Sequence, residues 1–197
     1  MFNNLNKEFI ILRITKETKV RIKLNFKNFK NSIIKTKINF LNHMLKQFSF
    51  FSSINIIIEA VGDNFIDDHH LVEDIGICLG KIFNKLLKYK KGINRYGLSY
   101  VPLDDSLSRV IVDISGRSFL IYDVKYNEKN INNFNLNLIK EFFIAFVNNS
   151  KMNIHIKNLY GKNSHHQCES IFKSFGISIK KAIKINKNYI PSTKGIL

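Results

Sequence analysis

Two short stretches carry the residues best suited to chemistry. Asp67-Asp68-His69-His70-Leu71-Val72-Glu73-Asp74 and Ser164-His165-His166-Gln167-Cys168-Glu169-Ser170 both contain His-His-x-x-Glu. The chain has only six histidines, and these two pairs use four of them. A lone copy reads as a polar helix start. Its recurrence in so histidine-poor a chain points to one metal site built from both copies. Each runs into an apolar, helix-like segment, Ile75 to Phe83 and Ile171 to Ile177. On a helix, residues three and four apart share a face, so His69 or His70 can converge with Glu73 on one ion. Adjacent histidines diverge by about 100° at 3.6 residues per turn, which suits two ions better than one. Four imidazoles and two carboxylates make a mixed N/O set that fits Mn, Fe, Zn or Ni, with no thiolate to demand zinc.

The elements that must hold these residues follow from periodicity. Phe9 to Arg13 is apolar, and Lys19 to Leu24 alternates with period two, so both read as strand. Glu17 is the only acid near the connection between them. Asn25 to Asn39 is polar and basic, read as strand and loop. Phe40 to Phe51 has helical spacing, with His43 and Gln47 four apart on a second face. Ile54 to Ala60 reads as strand, Val61 to Asp68 as loop, and the first motif helix runs to about Tyr89. The second part repeats the order. Arg109 to Ile114 and Ser118 to Tyr126 read as strands around a Gly116 turn, and Asn130 to Asn137 as a polar connection. Helix follows over Leu138 to Val147, strand over Met152 to Asn158, and the second motif helix from His165 to about Ile185.

This is an internal duplication with halves of roughly 1–90 and 91–197, parted near Lys90-Lys91-Gly92-Ile93-Asn94. Neither half presents a closed metal set, because the halves contribute equivalent groups. Small mixed or antiparallel sheets with helices on one face predict an α+β fold. With two prolines and no Ser/Gly-rich linker, 1–197 reads as a single compact domain.

Composition bounds the alternatives. The 197 residues are 45% apolar, enough for a full core. The formal charge of +16 raises nucleic-acid binding. Only five basic residues are arginine, and Lys, Asn and Ile are abundant throughout. That looks like drift in composition rather than a built basic face, so no nucleic-acid partner is expected. Cys78 and Cys168 make no disulfide framework and read as small buried residues in a reducing compartment. The first residues show no signal-peptide core. No apolar run approaches the ~18 residues of a membrane span. A cytoplasmic location is expected, with no membrane partner.

Beyond the histidine motifs, Phe40-Leu41-Asn42-His43-Met44-Leu45, Gly92-Ile93-Asn94-Arg95-Tyr96-Gly97, Asp113-Ile114-Ser115-Gly116-Arg117, Gly161-Lys162-Asn163-Ser164-His165-His166 and Pro191-Ser192-Thr193-Lys194-Gly195 resemble imidazoleglycerol-phosphate dehydratase, in order along nearly the whole chain. The resemblance implies a duplicated fold of the ribosomal protein S5 domain 2-like kind. It implies two Mn²⁺ per active site and a homo-24-mer with sites between subunits. The implied reaction is the dehydration of imidazole glycerol phosphate to imidazole acetol phosphate in histidine biosynthesis, with the substrate bound as imidazolate. It carries metal ligation to His43, His69, His70, Glu73, His165, His166 and Glu169. The family pattern Glu-His-Phe-Phe stands here as Lys140-Glu141-Phe142-Phe143, so Glu141 takes the eighth ligand place. A carboxylate oxygen is an acceptable ligand for a hard divalent ion. Glu17 is the expected proton-moving carboxylate. Arg95, Arg117, Lys173, Ser192, Thr193 and Lys194 are expected at the phosphate, with Gln47 and Glu17 also at the substrate.

Asn42 for Asp, Phe51 for His, Leu71 for Thr or Asn, and Asp105 for Glu also depart from the family pattern. They raise the alternative of a catalytically impaired member that acts as a metal-binding scaffold. A different di-metal enzyme, such as a hydrolase, and a basic nucleic-acid-binding module are the remaining readings. The arginine motifs and the Pro-Ser-Thr-Lys-Gly tail favour the dehydratase.

Overall fold

The structure, a computed structural model, describes residues 8–26, 31–63 and 66–197. Met1 to Lys7, residues 27–30 of the first polar connection and residues 64–65 of the loop before the first motif lie outside the described residues. The elements in chain order are β1 (Phe9–Ile14), β2 (Thr18–Asn25), β3 (Ile33–Lys35), α1 (Asn39–Ser52), β4 (Asn55–Gly62), α2 (His69–Leu86), β5 (Tyr96–Leu103), β6 (Ser106–Asp113), β7 (Phe119–Asp123), β8 (Asn130–Ile131), β9 (Phe134–Asn135), α3 (Asn137–Ser150), β10 (Asn153–Tyr160) and α4 (Ser164–Ile183).

The duplication is visible strand by strand. One sheet has the order β1-β2-β4-β3 and the other β5-β6-β10-β7. In each, the first three strands pair antiparallel and the last joins parallel. In each, the helix preceding the central late strand has 14 residues, α1 in one half and α3 in the other. Both helices end on a left-handed residue, Ser53 at φ 57° and Lys151 at φ 59°. Aligning the two helices places His43 and Glu141 at the same position.

Each sheet buries one face. On β2, Thr18, Val20, Ile22 and Leu24 point inward while Lys19 and Arg21 face out. The helices cover the buried faces, α2 lying on β1 and β2, and α4 on β5 and β6. The helices then meet one another, α2 against α3 and α1 against α4. The seam between them is aromatic: Phe48 stacks on Phe175 at 4.7 Å between ring centres, and Phe83 meets Phe146 at 5.5 Å. Fully burying a ring of this size contributes about 1.5–3 kcal/mol. The arrangement therefore fixes α1 against α4, and with them the residues they carry.

The structure adds a strand that periodicity did not reveal. β5 reads Tyr-Gly-Leu-Ser-Tyr-Val-Pro-Leu, and its inward residues are Gly97, Ser99 and Val101. Its large apolar residues, Tyr96, Leu98 and Tyr100, face outward. The usual polarity is inverted because α4 lies directly on the strand. A Cβ on Gly97 would collide with the Ser178 carbonyl oxygen. Ser99 and Ser174 exchange hydrogen bonds, each hydroxyl donating to the other residue's carbonyl at 2.7 and 3.0 Å. Pro102 is tolerated because β5 is an edge strand. The polar connection before α3 likewise contains the short β8–β9 hairpin.

Candidate metal and substrate site

α1 delivers His43 to the first turns of α4. There, His43 Nε2 lies 2.8 Å and His165 Nε2 3.1 Å from one oxygen of Glu169. The other oxygen of Glu169 accepts from Lys173 Nζ at 2.7 Å, one turn on. Phe40 meets the His165 ring edge-on at 5.3 Å. Burial pushes the pKa of Glu169 up, but Lys173 and His43 outweigh it and hold the carboxyl at about 2. The carboxylate is thus ionised, and three ligand atoms of types N, N and O lie within 4.8 Å of one another. Ligands about 2.0–2.2 Å from an ion sit about 3 Å apart when they bind at right angles. The two histidine–carboxylate separations match that spacing, and the N, N, O donor set suits a divalent ion.

The cap of α4 sets the histidine pair. Asn163 accepts from the backbone N–H groups of His165 at 2.8 Å and His166 at 3.2 Å. In α2, the Asp67 side chain accepts from the His69 N–H at 2.8 Å. The paired rings diverge, at 88° for His69 and His70 and 81° for His165 and His166, as helix geometry requires.

The second histidine of each pair faces an aspartate at Nδ1. His70 Nδ1 lies 3.2 Å from Asp63 and 3.7 Å from Glu17. His166 Nδ1 lies 2.6 Å from Asp105, and its Nε2 is 3.7 Å from Asp104. His70 has its proton affinity raised by the Asp63 hydrogen bond, opposed by desolvation and helped by Glu17. Glu17 sits in the exposed β1–β2 turn, in a groove shared with Thr15, Lys16, Thr18 and Asp63. A network centred on the buried Asp74 anchors that turn to α2. The Thr18 hydroxyl donates to Asp74, Arg13 Nε donates to Asp74 at 2.7 Å, and Thr15 Oγ1 accepts the Glu17 N–H at 3.1 Å.

Not every expected residue joins a cluster. Two groups of potential ligands converge among the described residues, His43–His165–Glu169 and Glu17–Asp63–His70, and the expected ligands His69, Glu73, Glu141 and His166 fall in neither. Glu73 is exposed, and His69 and Glu141 are half-buried on facing helices. The arginines divide. Arg95 is held by Asp113 at 2.7 and 3.2 Å and donates to the Pro191 carbonyl at 2.9 Å, so its fork ties the tail to β6. Arg117 is exposed beyond β6, with no side-chain partner among the described residues. Ser192 forms a turn by accepting the Lys194 N–H at its hydroxyl, and Thr193 and Lys194 are exposed. Gln47 is half-buried on α1. No hydrogen bond or ion pair among the described residues joins Arg95, Arg117 or the tail to the His43–His165–Glu169 group.

Sequence reasoning missed the partners Asp63, Asp104 and Asp113 and treated Asp105 only as a departure. The available signals were positional. Asp63 directly follows the strand before the first histidine motif, and Asp104-Asp105 occupies a two-residue turn between strands.

Comparisons with known proteins agree in direction. A family model described as imidazoleglycerol-phosphate dehydratase matches residues 36–179. The chain is 47% identical over 188 residues to imidazoleglycerol-phosphate dehydratase of Clostridium botulinum, covering 95% of this chain and 96% of that protein. Against the enzyme of that name from Azoarcus sp. it is 46% identical over 190 residues, covering 95% and 97%. Among solved structures, imidazoleglycerol-phosphate dehydratase of Staphylococcus aureus superposes with a TM-score of 0.84 at 37% identity, covering 91% of this chain and 100% of that one. The Pyrococcus furiosus protein, crystallised in complex with (S)-C348, superposes at 0.83 with 36% identity, covering 95% and 100%.

Proposed function

The chain belongs to the imidazoleglycerol-phosphate dehydratase family, hydro-lyases of histidine biosynthesis, and on that footing we propose that it converts imidazole glycerol phosphate to imidazole acetol phosphate and water. The observation that carries the proposal is the convergence of His43, His165 and Glu169, from two helices far apart in sequence, at the spacing of ligands around one ion.

In this reading two Mn²⁺ ions per active site are held by His43, His69, His70, Glu73, Glu141, His165, His166 and Glu169. Bound there, the ions supply Lewis acidity and a template for the substrate imidazole. The rest falls to the side chains. The proton to be removed is not beside a carbonyl and is weakly acidic, so a placed carboxylate must take it. Glu17 serves as that base, and its exposure in the β1–β2 turn leaves it open to substrate. The phosphate is bound by fixed cations and donors. Of the cations expected at the phosphate, Arg117 and Lys194 are the exposed ones, and Arg95 acts by fastening the tail that presents Ser192, Thr193 and Lys194. Lys173 holds Glu169 ionised and in place, and Gln47, one turn from His43, meets the glycerol hydroxyls.

A homo-24-mer with sites between subunits completes the reading. Two observations support it: among the described residues His69, Glu73, Glu141 and His166 join no converging group within one chain, and both sheets carry exposed large apolar side chains on their outer faces. Among the described residues no helix is long and apolar enough to cross a membrane, and a cytoplasmic location is proposed.

The test is turnover of imidazole glycerol phosphate by metal-stripped protein, with and without added Mn²⁺, beside Glu141→His. Activity that returns only with metal is expected, with the variant no better than the parent. An inactive parent and an active variant would identify a decayed site on an intact fold. Inactivity in both with Mn²⁺ bound would overturn the dehydratase reading.

A further inference from the structure

The two histidine pairs share a feature that no sequence motif contains. In each half, one histidine is met at Nδ1 by an aspartate from outside the motif, and the two aspartates come from different places in the repeat. Asp63 lies just after β4, with its backbone N–H bonded to the Glu17 carbonyl at 3.1 Å. Asp105 lies in the β5–β6 turn, next to Asp104 in the left-handed region at φ 44°. The halves thus reach one local arrangement by two routes, which duplication alone does not explain.

Asp105 is the better defined of the two. One of its oxygens, Oδ2, accepts the backbone N–H groups of Lys162 and, at 3.0 Å, Asn163. These residues form the entry to α4, so that oxygen clamps the turn to the helix start. The other oxygen, Oδ1, is left to face His166 Nδ1 at 2.6 Å. An ionised carboxylate can only accept, so Nδ1 must carry the hydrogen of a neutral ring. The lone pair is then at Nε2, whose nearest carboxylate oxygen, on Asp104, is 3.7 Å away and outside hydrogen-bonding distance. For His70, both oxygens of Asp63 lie 3.2–3.3 Å from Nδ1, with the same consequence.

We propose that Asp63 and Asp105 are positioning residues that lock His70 and His166 in the Nδ1–H tautomer, so that each presents a bare Nε2 to a divalent ion. The inference rests on the metal reading above and adds to it the groups that make two of its histidines ligands. Partners of this kind change metal affinity by about 10–100-fold in other proteins.

The test is Mn²⁺ affinity, read from the electron paramagnetic resonance signal of free Mn²⁺, for the full-length parent, Asp105→Asn and Asp63→Asn. Asp105→Asn separates the two jobs of the side chain. With its oxygen turned to the two backbone donors, its amide NH₂ faces His166 and forces the opposite tautomer, which blocks Nε2. The expected result is a helix content like the parent's by circular dichroism and an affinity about 10–100-fold weaker. Asp63→Asn is expected to weaken binding through His70 and decides the question if Asp105→Asn does not fold. Affinities within twofold of the parent in a folded variant would overturn the proposal while leaving the metal reading intact. A parent that binds no Mn²⁺ would overturn both.

Discussion

Glu169 shows how much a single side chain does here. It faces His43 and His165 with one oxygen and Lys173 with the other, so it is ionised and fixed before any ion arrives. Its role was legible from the spacing His165-x-x-x-Glu169, because four residues along a helix return to the same face. The contribution of His43 was not legible from spacing, since nothing local relates α1 to α4. Asp105 gives a residue-scale prediction with a definite sign. His166 and then the Asn163 and Lys162 N–H groups hold its carboxyl below the usual range. A depressed folded-state value means that its stabilisation is present above the unfolded carboxyl's value of about 4 and is lost as the pH falls further. Chemical denaturation of metal-free protein should therefore find Asp105→Asn less stable than the parent at neutral pH. The gap should narrow steadily below about pH 4. A gap independent of pH would contradict the ionised clamp.

At the scale of elements, the helices and the strands of the first half follow their periodicity, whereas β5 does not. Its inward face is small because α4 approaches too closely for side chains, and its outward face is large. Hydropathy alternation reads side chains one strand at a time and cannot know that the covering helix leaves no room for them. Gly97→Ala tests the approach. The added methyl must displace α4 or the strand, since its obstacle is a backbone carbonyl rather than a flexible side chain. Overpacking of this kind costs about 1–3 kcal/mol, so the melting temperature should fall by several degrees. An unchanged melting temperature would mean that α4 yields freely.

At the scale of the molecule, the outer faces of the two sheets carry large apolar side chains that a lone subunit would expose to water. Tyr96 and Phe119, both 57% exposed, stand on the outer face of the second sheet at opposite edges, with Leu98 and Ile121 beside them. The rows across the sheet are mixed, Tyr96–Asp113–Asn153–Phe119 and Leu98–Ile111–His155–Ile121, with the large apolar side chains concentrated at the two edges, and exposed apolar side chains grouped in this way mark a candidate contact site. If this face joins subunits and the sites lie between them, as proposed, Phe119→Lys should shift the protein to smaller species in sedimentation velocity and lower its activity. An unchanged sedimentation profile would place the contacts elsewhere.

The sequence by itself determined the duplication, the helix-borne His-His-x-x-Glu pairs, the N/O character of the donors and the family the chain resembles. Each of these is written in local order: a period, a spacing or a motif. The tertiary structure decided which helix faces which. It brought His43 to Glu169, set Asp63 and Asp105 against the histidines, and turned Arg95 toward Asp113 and the tail. It also left His69, Glu73, Glu141 and His166 outside any converging group among the described residues. The physical reason is range. Helical and strand periodicity act over a few residues, whereas these contacts depend on two sheets closing over one aromatic seam, whose geometry belongs to the packed whole.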